Sequence, residues 1–315
     1  MMETERAHSL PATPARATPG SLAAWLLATR PATLSAAAAP VLVGTAVSAH
    51  YAPTRAPIFV ATLLGAFLLQ IASNFANDVF DYEKGADTHE RLGPTRAVQA
   101  GLLSGPAMKR GLAVVIGCAL LVGSYLVFHA GWPIVAIGIA SIVCAVAYTA
   151  GPYPLGYHGL GDVFVMIFFG FVAVCGTSYA QLLRVPLLAY PAAFALGAVT
   201  TNILVVNNLR DRHTDRKVGK RTLAVRWGRR GATAQYALLY AGSYLAPLAM
   251  IAFGATGYWV LLSWLTAPLA YRNFQKLRTH EGAALNGVLV ATARLVFLYG
   301  VSLAAGLWLH TYVGS

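Results

Sequence analysis

Charge is what this chain has least of. Only 11% of its 315 residues are Asp, Glu, Lys or Arg, against about a quarter in an ordinary soluble domain. Eleven acids and 23 bases are too few to coat a water-soluble globule of this length. Cysteine is scarce too. Cys118, Cys144 and Cys175 stand far apart in apolar stretches, with no CxxC or Cys/His spacing. That excludes a disulfide scaffold and a thiolate metal site, and leaves the three as small apolar packing residues. Residues 1–20 are polar, rich in Pro and Ala, and lack the apolar core of a secretory leader. They read as a short disordered cytoplasmic tail, followed by a single domain over 21–315.

What is present is apolar and comes in blocks. The hydrophobic fraction is 57% and the mean hydropathy +0.60, which points to an integral membrane protein. The blocks place spans near 32–49, 57–80, 108–129, 132–150, 160–182, 188–209, 232–253, 256–272 and 284–310. Each is expected to be helical, because a spanning segment must satisfy its own backbone hydrogen bonds. No ten-residue alternation suggests a β-barrel. The expected fold is therefore an all-α bundle of nine transmembrane helices.

The bases orient that bundle. With the N-terminus inside, 20 of the 23 fall in inside segments. Arg55 and Arg184 fall outside, and Arg294 lies within the last span. This is a strong positive-inside pattern, and it puts the C-terminus outside. The formal charge of +12 is then mostly topology and calls for no nucleic-acid partner.

The acids are more informative. Apart from Glu3, Glu5 and Glu281, all but one belong to two clusters, each at the cytoplasmic end of an even-numbered span. In the first, Asn74, Asn77, Asp78 and Asp81 fall within about a 100° arc of one helix face. Asp87 follows in a loop after Gly85. In the second, Asn207, Asp211 and Asp215 are spaced i, i+4, i+8 on one face. Carboxylate and amide oxygens so arranged suit Mg²⁺, a hard cation that keeps waters or phosphate oxygens in its shell. Capped, solvated helix ends are the plainer alternative, but two matching Asn/Asp faces on one side of a membrane are poorly explained by it. Basic residues flank both clusters: Lys84, Arg91 and Arg96 by the first, Arg210, Arg212 and Lys220 by the second. Acids and bases mixed at one membrane face suit a phosphorylated anion held by metal and Lys/Arg together. For any one base, the positive-inside bias is an equal explanation.

Several stretches also carry a resemblance. They are W-L-L-A-T-R-P-A-T-L over 25–34, N-D-V-F-D-Y-E-K-G-A-D over 77–87, R-L-G-P-T-R-A-V-Q-A-G over 91–101, Y-T-A-G-P-Y-P-L-G-Y-H-G-L-G-D over 148–162, F-F-G over 168–170, and N-N-L-R-D-R-H-T-D-R-K-V-G-K-R-T-L-A-V-R-W-G over 207–228. Together they resemble the UbiA superfamily of intramembrane prenyltransferases over roughly residues 21–310. Within it they are most similar to the 1,4-dihydroxy-2-naphthoate polyprenyltransferases of menaquinone biosynthesis.

That resemblance implies a nine-helix bundle around a lipid-open chamber in a multi-pass cell membrane protein, the inner membrane where there are two. Asp78, Asp81, Asp211 and Asp215 would be catalytic, with two Mg²⁺ bridging the clusters and the diphosphate of a polyprenyl donor. The acceptor would be 1,4-dihydroxy-2-naphthoate, losing CO₂ to give a demethylmenaquinol.

Acceptor contacts are less explicit. Arg30, just before Pro31, either meets the acceptor carboxylate or snorkels at the interface. Tyr148 and Tyr157 frame a Gly/Pro-rich break, as acceptor contacts or as belt residues. Asp162, the acid remote from both clusters, either orients the acceptor or caps a helix. Two further readings stay open: a prenyltransferase for 4-hydroxybenzoate, homogentisate or a tetrapyrrole, and a cation-coupled transporter. Against the transporter, the acids sit at one face and no broken helix pair is evident.

Overall fold

The computed structural model describes residues 17–86 and 92–314. Among these the protein is all helical. The elements are α1 (Leu22–Thr29), α2 (Pro31–Ala49), α3 (Ala56–Glu83), α4 (Gly105–Ala130), α5 (Trp132–Ala147), α6 (Gly161–Leu182), α7 (Ala189–Lys217), α8 (Leu223–Ala252), α9 (Ala267–Thr279) and α10 (Leu285–Val313). Six segments are long and apolar enough to cross a membrane: α2, α3, α4, α6, α7, and Gly282–Val313, which contains α10. α5 is equally apolar but only 16 residues long.

Burial separates inner helices from outer ones. The apolar windows of α2 and α7 are 72% buried, whereas those of α3 and α4 are only 17% buried. α2 and α7 are rich in Ala, Gly and Thr, and small residues let helix backbones approach closely where no hydrophobic effect drives association. A Cβ on Gly170 of α6 would sit 2.6 Å from the Ala193 carbonyl oxygen of α7. The largest apolar cluster joins α2 and α7 to α8 and α10 through Val43, Leu196, Tyr236 and Leu303. A second cluster ties α1, α3 and α4 to the 97–103 loop, with Ala17 packed against it. In the same region Gly20 donates its N–H to the Leu102 carbonyl.

Four elements differ from the expected helices. The eighth block is a 3₁₀ turn over Tyr258–Thr266 leading into α9. Pro268 lies in the first turn of α9, where its missing N–H leaves no helical bond unmade. The 3₁₀ stretch lies tight against Gly306 of α10, where a Cβ would run into the Trp259 carbonyl oxygen. α8 begins at Leu223 rather than 232 and breaks at Gly228, whose φ of 67° is left-handed. α6 contains a π-helical run over Met166–Val172. α7, in turn, continues past 209 to Lys217, so the whole second cluster is helical.

Candidate active site

A cavity of about 1100 Å³ runs through the bundle. Along α3 its lining extends from Asp81 to Thr62, roughly 28 Å at the helical rise. The walls are mostly apolar, with Phe164, Phe168 and Phe169 of α6, Ile139 and Ile142 of α5, and Leu204 of α7. At one end stand Asn77, Asp81, Arg96, Asn207, Asp211, Asp215 and Lys220. Both clusters therefore reach one chamber, although 130 residues separate their central aspartates.

Lys220 joins them directly. Its Nζ lies 3.5 Å from Asp215 Oδ1 and 3.9 Å from Asp81 Oδ1. The two carboxylate oxygens are thus no farther apart than the sum of those distances. The Lys220 ammonium also sits over the Tyr157 ring, 4.6 Å from its centre. Tyr157 in turn donates its hydroxyl to Asp81 Oδ1 at 3.1 Å. On the other side of Asp81, Arg96 Nη2 pairs with Oδ2 at 2.8 Å and Nη1 donates to the Asn77 carbonyl. Asn77 Oδ1 accepts from Thr149 at 3.2 Å.

The second cluster is organised from behind. Arg210 is fully buried, does not line the chamber, and bonds Asp211 with Nε and Nη2 at 2.8 and 2.6 Å. The same Nη2 donates to Asn207 Oδ1 at 2.7 Å. Nη1 donates to Asn286 Oδ1 at 2.9 Å.

Several expected site residues are placed elsewhere. Asp78 faces away from the chamber: its two oxygens accept the backbone N–H groups of Ala97 and Val98, both at 3.0 Å. It anchors the loop that carries Arg96, where the sequence places it on the metal face beside Asp81. The helix arc could not separate it from Asp81, because the loop that claims it is remote in sequence. Arg210 and Arg212, expected as diphosphate contacts, have other partners. Arg210 lies behind the acids, and Arg212 turns to Glu281 at 3.6 Å. Lys84 donates to the Gly151 carbonyl at 3.0 Å. Its ammonium is held below the usual lysine range by burial and by Lys220, against an upward pull from Asp81. Asp162 is buried outside the chamber, one residue inside α6, and accepts from Gln235 of α8 at 3.0 Å. It makes no side-chain cap bond to its helix. Asp87 and Arg91 lie outside the described residues.

Asn74, Arg30 and Tyr148 do line the chamber. Asn74 donates to the Thr29 carbonyl and to Thr33 Oγ1, both at 2.9 Å, and so fastens α3 to the α1–α2 corner. Arg30 forms that corner with a left-handed φ of 50°. Held strain of this kind concentrates at functional sites. Asn286, Gln235, Thr149 and Gln70 were not singled out from sequence. Each is a lone amide or hydroxyl whose only signal is polarity within an apolar block.

The donor set can hold a divalent cation. Among the described residues no three acids, histidines or cysteines converge on one point. A hard cation nevertheless needs only one or two carboxylates when phosphate oxygens complete its shell. Asp81 and Asp215 converge closely enough to share one positive charge, the Lys220 ammonium, and a divalent cation held there would have to compete with it.

Comparison with known proteins agrees with this geometry. The UbiA prenyltransferase family matches residues 37–298. The chain is 37% identical over 300 residues to the 1,4-dihydroxy-2-naphthoate octaprenyltransferase of Escherichia coli (strain K12), covering 92% of this chain and 96% of that one. Its fold is similar to the apo structure of a UbiA homolog from Aeropyrum pernix K1, with a TM-score of 0.67, 17% identity, and 85% and 96% of the two chains covered. It is similar as well to a UbiA homolog from Archaeoglobus fulgidus bound to GPP and Mg²⁺, with a TM-score of 0.57, 16% identity, and 89% and 99% covered. With a matched region that spans most of the chain, and a chamber that brings both aspartate clusters together, the protein belongs to the UbiA prenyltransferase family.

Proposed function

We propose that this protein transfers a polyprenyl group from polyprenyl diphosphate to 1,4-dihydroxy-2-naphthoate, releasing diphosphate and CO₂ and forming a demethylmenaquinol. The observation that carries the reading is Lys220 bridging Asp81 and Asp215 at the polar end of a long apolar chamber. A prenyl diphosphate has that same division into charged head and apolar tail. The acceptor reading is supported by the identity to relatives named for that naphthoate.

In this reading Mg²⁺, two ions as in the sequence expectation, would be held by Asp81, Asp211 and Asp215 with Asn77 and Asn207. Bound there, the metal supplies charge neutralisation for the departing diphosphate. Arg96 and Lys220 present further positive charge at the same end, which favours the leaving group as negative charge develops on it. The allylic carbon left behind becomes electron-poor. Tyr148 and Phe168 line the chamber, and aromatic ring faces stabilise positive charge. Apolar walls keep water away from that carbon, so the electron-rich naphthoate ring is the nucleophile that meets it. Arg30 with Gln70, both in the lining, would hold the acceptor carboxylate. Bond formation at the ring carbon that bears this group lets its C–C electrons return to the ring as CO₂ departs.

The proposed membrane arrangement has nine crossings. α5, α8 and the 3₁₀–α9 segment would join the six long apolar segments, with the N-terminus and the aspartate end cytoplasmic. The test is mass spectrometry of products from purified protein, Mg²⁺, 1,4-dihydroxy-2-naphthoate and mixed prenyl diphosphates. A prenylated, decarboxylated naphthoquinol is expected. Recovery of unreacted naphthoate alongside prenylated 4-hydroxybenzoate from a parallel reaction would overturn the acceptor assignment.

A further inference from the structure

Asn286 stands at the start of α10, outside the chamber, with both ends of its carboxamide in use. Its Oδ1 accepts from Arg210 Nη1 at 2.9 Å, and its Nδ2 donates to the Leu92 carbonyl at 2.7 Å. Behind Arg210 lie Asp211 and Asn207 of the second cluster. Behind Leu92 lies the loop that carries Arg96 to Asp81 and offers the Ala97 and Val98 N–H groups to Asp78. The side chain is thus the middle link of a hydrogen-bonded path from one cluster to the other, separate from the bridge that Lys220 makes inside the chamber.

The chemistry of the link is specific. The guanidinium on one side can only donate, and the carbonyl on the other can only accept. A short carboxamide meets both demands at once. Aspartate would keep the bond to Arg210 and lose the donor to Leu92, and leucine would lose both.

We propose that Asn286 is a positioning residue that holds the two aspartate clusters in register for the donor diphosphate. This rests on the functional reading above. The diphosphate head, lying across both clusters, depends on their relative placement. The aromatic acceptor, seated against the chamber wall, does not.

The experiment uses full-length protein in detergent, with Cys118, Cys144 and Cys175 replaced and spin labels at Ala100 and His213. Both positions are exposed and outside the chamber. Asn286→Leu is expected to broaden the label-to-label distance distribution in the absence of substrates. In unlabelled protein it raises the donor KM about tenfold, the usual scale for losing a hydrogen bond to a charged group, while the acceptor KM stays near its wild-type value. Asn286→Asp keeps the bond to Arg210 but sets a carboxylate against the Leu92 carbonyl, so it is expected to unfold closer to wild type than Asn286→Leu and still to show the same donor-selective rise. An unchanged distance distribution in both variants, or an equal rise in the two KM values, overturns the proposal. If the wild-type protein fails to prenylate the naphthoate, the functional reading falls, while the distance measurement still decides whether Asn286 links the clusters.

Discussion

Arg210 holds both carboxylate oxygens of its own neighbour in sequence, Asp211, at 2.8 and 2.6 Å. Adjacent residues on a helix normally diverge by about 100°. Here the long guanidinium stem folds back, so that a buried cation sets the direction of a carboxylate that opens into the chamber. The pair is shielded from water, with the Arg210 side chain only 1% exposed.

Arg210→Met strips Asp211, Asn207 and Asn286 of a donor at once. It is therefore expected to lower the unfolding temperature in detergent, with each hydrogen bond to a charged group worth about 1.5–3 kcal/mol. Arg210→Lys is expected to recover little, because an ammonium lacks the forked geometry that meets Asp211, Asn207 and Asn286 together. Wild-type unfolding of both variants would show that Arg210 is dispensable.

The aspartates should separate by kind of defect. Asp215→Asn is expected to lower turnover at least about a hundredfold, a loss of roughly 2.7 kcal/mol of transition-state stabilisation, with little change in unfolding temperature. Asp78→Ala leaves two backbone N–H groups without their acceptors, at about 1–3 kcal/mol each. It is expected to lose thermal stability first, and activity through the displaced Arg96 loop. Measuring both quantities on both variants checks the division, and a stable but inactive Asp78→Ala would return that residue to the metal face.

Lys220 occupies the place between Asp81 and Asp215 that a metal would compete for. Lys220→Met is expected to tighten Mn²⁺ binding without donor several-fold, since one competing positive charge is removed. The same variant should lose at least about tenfold in kcat/KM, because an ammonium no longer faces the diphosphate. Titration of Mn²⁺ by electron paramagnetic resonance reads the first effect. Weaker Mn²⁺ binding would mean that Lys220 supports the cation site rather than filling it.

How much of this was legible in the sequence depended on whether the signal was local. The apolar blocks of α2, α3, α4, α6, α7 and α10 announce themselves by length, because a spanning helix needs an unbroken run. The two acidic faces were visible from helical spacing, and both reach the chamber. The division of labour between Asp78 and Asp81 was not. The two lie 60° apart on one helix, and only the loop at Ala97 and Val98 tells them apart. Asn286 and Gln235 were hidden for the same reason, since their partners Leu92 and Asp162 are distant in the chain. Arg212 was drawn into the site by proximity to Asp211, yet it turns outward to Glu281.

Sidedness gives a prediction that rests on charge arithmetic rather than on the chamber. A diphosphate head does not readily cross hydrocarbon, so donor head, metal and acceptor should arrive from the cytoplasm. In a background lacking the three native cysteines, cysteines at Thr95 and Thr214 should react only with reagents that reach the cytoplasm. One at Thr54 should react from outside. Labelling of 95 and 214 from opposite sides would contradict both the topology and the shared site.

The π-helical run over Met166–Val172 sets the phase of everything after it in α6. Each wider turn accommodates one residue more than an α-turn of the same height. Deleting a single residue there should therefore be absorbed by rewinding the run as ordinary α-helix, and the chain should still fold. The helix beyond keeps its phase, because the residue lost is the one that the wide turn had absorbed. Ala173, Gly176 and Thr177, which line the chamber, would stay in its wall. The same deletion in the regular α-helix past Ala173 has no wide turn to absorb it and would turn the remaining residues by about 100°. A one-residue deletion within 166–172 is thus expected to leave short and long donors alike as substrates, and one at Val174 to penalise the long ones.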